Sequence, residues 1–278
     1  MNHALQSLRS PQSPNSSNSP KFPTIVKSLR SLQTVCALGI TIAIVSVNAP
    51  VHATSPSGKG VQFIQTAEAL DSNDSLSWGS LGKVFNPAIQ EPPPFLPFSI
   101  ETKSTGGLGI TASLPLPSAG ITPPFVFRNA RWPNGIPANF ALNDFVLFTG
   151  LKLGAPVPTP GNPGPLTIRF AKPIFGAGAQ FSVDDKFNFT AYIDAYDRRG
   201  NRIATFSRPG VGAAVPDNSA VFLGVCSHRP NIAKIVFRSS EPNQAIGIGT
   251  LRLKTISKPH SKPHHDRASG FSLSNCKI

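Results

Sequence analysis

The sequence predicts an all-β protein, a jelly-roll-like antiparallel β-sandwich of about ten strands. Three observations lead there. From Phe187 the residues alternate. Phe187, Phe189, Ala191, Ile193 and Ala195 fall on one face, and Asn188, Thr190, Tyr192, Asp194 and Tyr196 on the other. This period of two marks a half-buried strand. The chain also spreads 29 prolines and 23 glycines between short apolar runs, which divides it into many turns. No stretch of the 278 residues keeps a helical period, a heptad or a fixed repeat.

Taken in order, Val61–Ile64 is the first predicted strand, and residues 71–82 are polar around Trp78. Residues 91–97 hold four prolines in seven positions and so cannot form helix or central strand. Phe98–Lys103 and Leu108–Leu114 read as a hairpin across Ser104–Gly107. Phe125–Phe127 is a short strand, Arg131–Pro137 a turn-rich loop with Trp132, and Phe140–Thr149 a strand again. The twelve residues 154–165 carry five prolines and three glycines and read as a long surface loop within one domain. Residues 166–206 form consecutive strands. Asp197–Asn201 turns the chain there, because Gly200 and Asn201 accept positive φ cheaply. Ala220–Cys226, Ile232–Phe237 and Ala245–Leu253 complete the set.

The N-terminus reads as an export signal. Residues 1–33 contain four basic residues and no acid, residues 34–47 are an apolar run of 14, and Val51-His52-Ala53 offers a cleavage site after Ala53. Fourteen residues fall short of the roughly 20 that a spanning helix needs, so no transmembrane segment is expected in the mature chain. The expected organisation is a signal peptide over 1–53, a flexible segment over 54–60, a sandwich domain over 61–253, and a disordered basic, His-containing tail over 254–278. The location is then secreted, periplasmic or extracellular. Taking four basic residues and no acid from a net charge of +13 leaves the mature chain at +9. That charge favours adhesion to anionic polymers or surfaces. The basic residues are scattered and no recognition motif accompanies them, so nucleic acid is not the expected partner.

These signals resemble the secreted β-sandwich domain of bacterial exported proteins of the PEP-CTERM type. The resemblance runs through Leu76–Gly82, Gly106-Gly107-Leu108, Trp132 followed by Asn139-Phe140 and Asp144, and the stretches 164–180, 189–201, 220–227 and 232–237. It covers nearly all of 61–253 and implies export and a sandwich, with no defined activity. Two departures stand out. Ile248-Gly249-Thr250-Leu251 stands where the family often has Ile-Asp-Asn-Leu, and the sequence shows no C-terminal sorting signal.

The candidate chemistry is sparse. His228 is the one histidine inside the predicted domain and no GxSxG occurs, which disfavours a nucleophilic enzyme. Asp144, Asp184, Asp185, Asp194 and Asp197 provide acids for a glycosidase pair, but no spacing selects two of them. Calcium is the candidate metal, near Asp184/Asp185 or Asp71/Asp74, although no EF-hand spacing is present; otherwise no cofactor is expected. His260, His264, His265 and Asp266 are a weaker transition-metal candidate. Trp78, Trp132, Tyr192, Asp194 and Tyr196 are the candidate ligand-binding residues, since aromatic rings stack on sugars and polar neighbours bond hydroxyls. Cross-strand packing explains the same tyrosines, and plugging the sandwich ends explains the tryptophans. Cys226 and Cys276 are a candidate disulfide in an oxidising compartment. The expected function is a non-catalytic exported protein that binds anionic or neutral extracellular polysaccharide. The alternatives are a polysaccharide-active enzyme, hydrolase or lyase, and a purely structural surface protein.

Overall fold

The computed structural model describes residues 60–86, 93–156, 158–184 and 188–256. The expected signal peptide, Asp185, Phe187, Cys276 and the tail histidines lie outside them. The described chain forms fifteen strands against the ten expected. They are β1 (Val61–Ile64), β2 (Asp74–Leu76), β3 (Val84–Phe85), β4 (Ser99–Lys103), β5 (Gly109–Ser113), β6 (Phe125–Arg128), β7 (Phe145–Phe148), β8 (Leu166–Ile174), β9 (Gly176–Val183), β10 (Phe189–Tyr196), β11 (Arg202–Gly210), β12 (Val221–Ser227), β13 (Ile232–Ser239), β14 (Ile246–Ile248) and β15 (Leu251–Lys254). One short α-helix, α1 (Ala67–Leu70), is capped by the Thr66 hydroxyl, which accepts from Ala69 N, and Trp78–Leu81 form a single 3-10 turn.

Two sheets stack to make a sandwich. The six-stranded sheet runs β11-β10-β13-β8-β5-β4 and is antiparallel throughout. The nine-stranded sheet runs β1-β12-β9-β14-β7-β6-β3, with β15 and β2 continuing it from the lower half of β9. Its one parallel pair, β3 with β6, departs from the all-antiparallel expectation. The inner faces supply the main core, including Leu166 and Ile168 of β8, Phe181 of β9, Ile193 of β10, Leu223 of β12 and Phe237 of β13. The alternation read from the sequence around β10 is what places these side chains. Phe189, Ala191, Ile193 and Ala195 are all buried, while Thr190, Tyr192 and Tyr196 are half-exposed.

The outer faces of the two sheets differ. On the nine-stranded sheet, α1 seats Leu70 beside Phe222 and Cys226, over Gly176 and Gly178 of β9. A Cβ at Gly178 would stand 2.7 Å from the Phe222 ring, so only glycine lets that ring lie on the strand. Farther along, residues 129–144 fold back over β14. Buried Asn129 holds this loop by donating to the carbonyls of Phe140 and Ala141 and accepting from Ala138 N. Phe140 thereby joins Phe85, Phe125, Phe127 and Phe148 in a second apolar cluster. The outer face of the six-stranded sheet has no such cover among the described residues.

The segment 245–253, expected as one strand, is two. β14 pairs with the upper half of β9 and with β7, and β15 pairs with the lower half of β9 and with β2. Gly249-Thr250 steps out between them, so the sheet forks there. Trp78 donates its indole N–H to Gly249 O at 2.9 Å, and Thr250 Oγ1 donates to Asp144 at 2.7 Å. Lys254, expected in the tail, belongs to β15 and is buried beside Asp71, its Nζ 3.3 Å from that carboxylate.

Candidate functional site

The outer face of the six-stranded sheet positions its side chains by strand register. Tyr192, Asp194 and Tyr196 of β10 lie opposite Arg238, Val236 and Lys234 of β13. Lys234 in turn lies opposite Arg169 of β8, and Arg169 opposite Thr111 of β5. Alternation puts all of them on one surface. Tyr192, Asp194 and Tyr196, the residues singled out in the sequence, therefore share that face.

Its state differs from the expected sugar-stacking platform. The Arg238 guanidinium lies 4.7 Å from the centroid of the Tyr192 ring, and Lys234 Nζ 3.7 Å from that of Tyr196. These cation–π contacts occupy the ring faces that a sugar would stack on. Asp194 is only 2% exposed. Arg238 grips it in a fork, Nε to Oδ2 at 2.7 Å and Nη2 to Oδ1 at 3.3 Å, while Thr205 Oγ1 donates to Oδ1 at 2.7 Å. Asp194 is therefore a positioning group for Arg238 and not an exposed ligand contact. Its carboxylate raises the protonation range of Arg238.

Lys234 behaves in the opposite way. Partial burial, with Arg169 across the strand pair, lowers its pKa, and Asp194 opposes that shift. Two like charges in direct cross-strand register repel. The sheet thus presents a group of cations, Arg238 and Lys234 held over tyrosine rings and Arg169 beside Lys234 across the strand pair.

The tryptophans are elsewhere. Trp78 is fully buried and is part of the core, which corrects its expected role as a surface contact. Trp132 is half-exposed in the loop between β6 and β7, on the other sheet. Asp74 is likewise engaged. Buried Asp74 accepts from Ser104 Oγ at 2.5 Å, Thr105 Oγ1 at 2.9 Å, and the backbone N–H groups of Gly106 and Ser75. Burial would raise its pKa, but these four bonds outweigh burial and lower it. They clamp the β4–β5 hairpin to β2, and so join the two sheets at one edge. At the opposite edge Arg208 of β11 reaches Gln65 O at 2.8 Å, and Phe63 stacks on Phe206. Among the described residues no group of three or more His, Cys, Asp or Glu is placed to hold a metal ion. Cys226 is buried and disulfide-bonded.

One end of the same sheet carries a feature that sequence reading missed. Between Ile232 and Lys234 of β13 the facing β8 residues advance from Ile174 to Arg169, so residues 170–173 drop out of register with β13, while Phe170 stays paired with Ile110 of β5. A second register shift, at Ala195/Tyr196, lies at the same level. The β8 bulge, the Asp197–Asn201 turn, the β12–β13 turn and Ile256 enclose an open cleft of about 500 Å³. Its lining is Lys172, Pro173, Asp197, Arg198, Arg199, Pro230, Asn231 and Ile256. A strand bulge has no signature in residue order alone, because it is a relation between two strands.

No protein-family model matches the chain, and no curated protein matches it. Two solved structures are similar in part. A DUF4465 family protein from Bacteroides caccae aligns over 56% of this chain and 86% of its own, with 12% identity and a TM-score of 0.34. The enzymatically active domain of tailspike protein 4 of bacteriophage CBA120 aligns over 53% of this chain and 19% of its own, with 17% identity and a TM-score of 0.27.

Proposed function

We propose that this chain is an exported, non-catalytic β-sandwich that binds polysaccharide through the outer face of its six-stranded sheet, favouring acidic polymers over neutral ones. The observation behind this is the like-charged pair Lys234/Arg169 on an uncovered face, continuous with Arg238. A fold gains nothing from setting two cations in register. An anionic group bound between them would relieve their repulsion. Tyr192 and Tyr196 hold two of the three cations in fixed positions, so less side-chain freedom is lost on binding.

The non-catalytic reading is supported by what the acids do. Asp194 is committed to Arg238 and Thr205, Asp144 to Thr250, and Asp74 to Ser104 and Thr105. Asp194 lies in the six-stranded sheet and Asp144 immediately before β7 of the other, whereas a glycosidase pair must face one bond.

The test is retention of the full chain on immobilised acidic and neutral polysaccharides at two salt concentrations, with calcium and with chelator. Retention on acidic polymers that weakens in Arg169→Gln supports the proposal. Equal retention on neutral polymers, or none on either, refutes it.

A further inference from the structure

The group of cations does not stop at the edge of the sheet. Tyr196 leads directly into Asp197-Arg198-Arg199, and four residues after Arg169 the β8 bulge ends, having displayed Lys172 and Pro173 at the cleft. Lys172, Arg198 and Arg199 thus reach one cleft from two separate connections. None of the three makes an ion pair among the described residues.

The one carboxylate in the cleft is bonded within its own turn. Asp197 Oδ1 accepts from Arg199 N at 2.8 Å and Asn201 N at 2.9 Å, and Oδ2 accepts from Asn201 Nδ2 at 3.0 Å. Those bonds, led by that from Asn201, keep its pKa low, so it remains a structural anion of the turn. It shapes the turn that carries Arg198 and Arg199; the charge of Arg199 also helps to keep it ionised, although no salt bridge joins the two among the described residues.

The other walls are not those of a simple ion site. Pro173, Pro230 and Ile256 are apolar, with Ile256 62% exposed, and Asn231 adds an amide. A volume of about 500 Å³ suits a small organic group. Cations for a carboxylate, an amide for hydroxyls and rigid apolar walls for ring C–H faces are the complement of an acidic sugar.

We infer that this cleft is the anchoring subsite for a carboxylate-bearing sugar unit, at which an acidic polysaccharide lying along the sheet enters or ends. The inference rests on the polysaccharide reading above and adds to it a ligand class and a second set of residues. Lys172, Arg198 and Arg199 bind the carboxylate, and Pro173, Pro230 and Ile256 bound the ring.

The test compares the full chain with Lys172→Gln, with Arg198→Gln/Arg199→Gln, and with Arg169→Gln, using a short uronic-acid oligosaccharide, its carboxyl-reduced neutral counterpart and inorganic phosphate. All of the substituted side chains are exposed, so the folds should survive. A loss of one charge-assisted contact corresponds to about tenfold in affinity. The cleft variants should therefore weaken oligosaccharide binding about tenfold or more, Arg169→Gln should weaken it less, and the neutral counterpart should bind poorly. If long acidic polymer binds while the oligosaccharide ignores the cleft variants, the subsite is wrong and the sheet reading stands. If phosphate displaces the oligosaccharide at equal concentration, the cleft is a general anion site and the sugar assignment fails. If no acidic polymer binds the wild-type chain, both readings fall together.

Discussion

Across the nine-stranded sheet, the outer surface is filled by the chain's own side chains: Leu70 from α1, Phe222 from β12, and Phe140 from the loop over β14. Across the six-stranded sheet, the outer surface is left to Thr190, Tyr192, Tyr196, Lys234, Arg238 and Arg169. Both sheets pack an apolar inner face on the same core, so stability requires only one covered side of each. The difference shows where residues were placed for packing and where they were not. Glycines at 176 and 178 bring cover close on one sheet, while a repelling cation pair marks the other.

The largest effect is expected from damage to the covered face. Phe140→Ala removes a ring that is 1% exposed and packs over Gly247 and Gly249. Truncating a buried Phe costs about 3–5 kcal/mol. Urea unfolding should report that loss, while the folded fraction binds polysaccharide as before. Binding lost in proportion to nothing but this ring would mean that the covered face is the functional one.

Asp194→Ala tests where the two roles meet. It removes a buried acceptor of Arg238 and Thr205, and Arg238, 39% exposed at its side chain, rehydrates in part. The expected destabilisation is about 1–3 kcal/mol. Unlike Phe140→Ala, it should also change binding, because Arg238 loses its fixed position.

Asp74 concerns the clamp that keeps the two sheets in register at the β4–β5 edge. Its folded pKa lies below the ordinary 3.8, so its carboxylate stabilises the fold above that value. The contribution is lost as pH falls through the lowered folded pKa. Denaturant midpoints measured from pH 6 down to pH 2 should therefore fall for the wild type. Asp74→Asn should start lower by about 1–2 kcal/mol and fall less steeply, since it has no carboxylate to protonate.

The smallest effect on stability is expected at Arg169. Arg169→Gln relieves the repulsion with Lys234 and should leave stability unchanged or raised by about 0.2–0.5 kcal/mol, while weakening retention on acidic polymer. Burial of Lys234, and after it the repulsion from Arg169, also has a signature in pH. The folded pKa of Lys234 lies below 10.5, so between that lowered value and 10.5 the unfolded chain binds more protons and stability rises with pH. In Arg169→Gln that alkaline rise should shrink.

Much of the sandwich was legible because alternation is a local property. β10, its turn at Asp197–Asn201 and the polar face of Tyr192, Asp194 and Tyr196 follow from residue order alone. What escaped depends on pairs of distant segments. Gly249-Thr250 reads as the middle of one strand until Asp144 and Trp78 are seen to receive the step between β14 and β15. Trp78 sits among Ser and Gly, which reads as surface, yet it is the largest fully buried side chain. The exposure expected for Asp194 fails because Arg238, 44 residues later in the chain, covers it. The cleft needs a bulge, two turns and Ile256 to converge, and no single stretch of sequence contains that information.

The most direct measurement is a backbone amide chemical-shift titration of the full chain with a short acidic oligosaccharide at physiological salt. Perturbations are expected along β8, β10 and β13, strongest near Arg169, Lys234 and the Asp197–Asn201 turn, with α1 and residues 129–144 unmoved. Perturbations confined to α1 or to residues 129–144, or none at saturating ligand, would contradict that expectation.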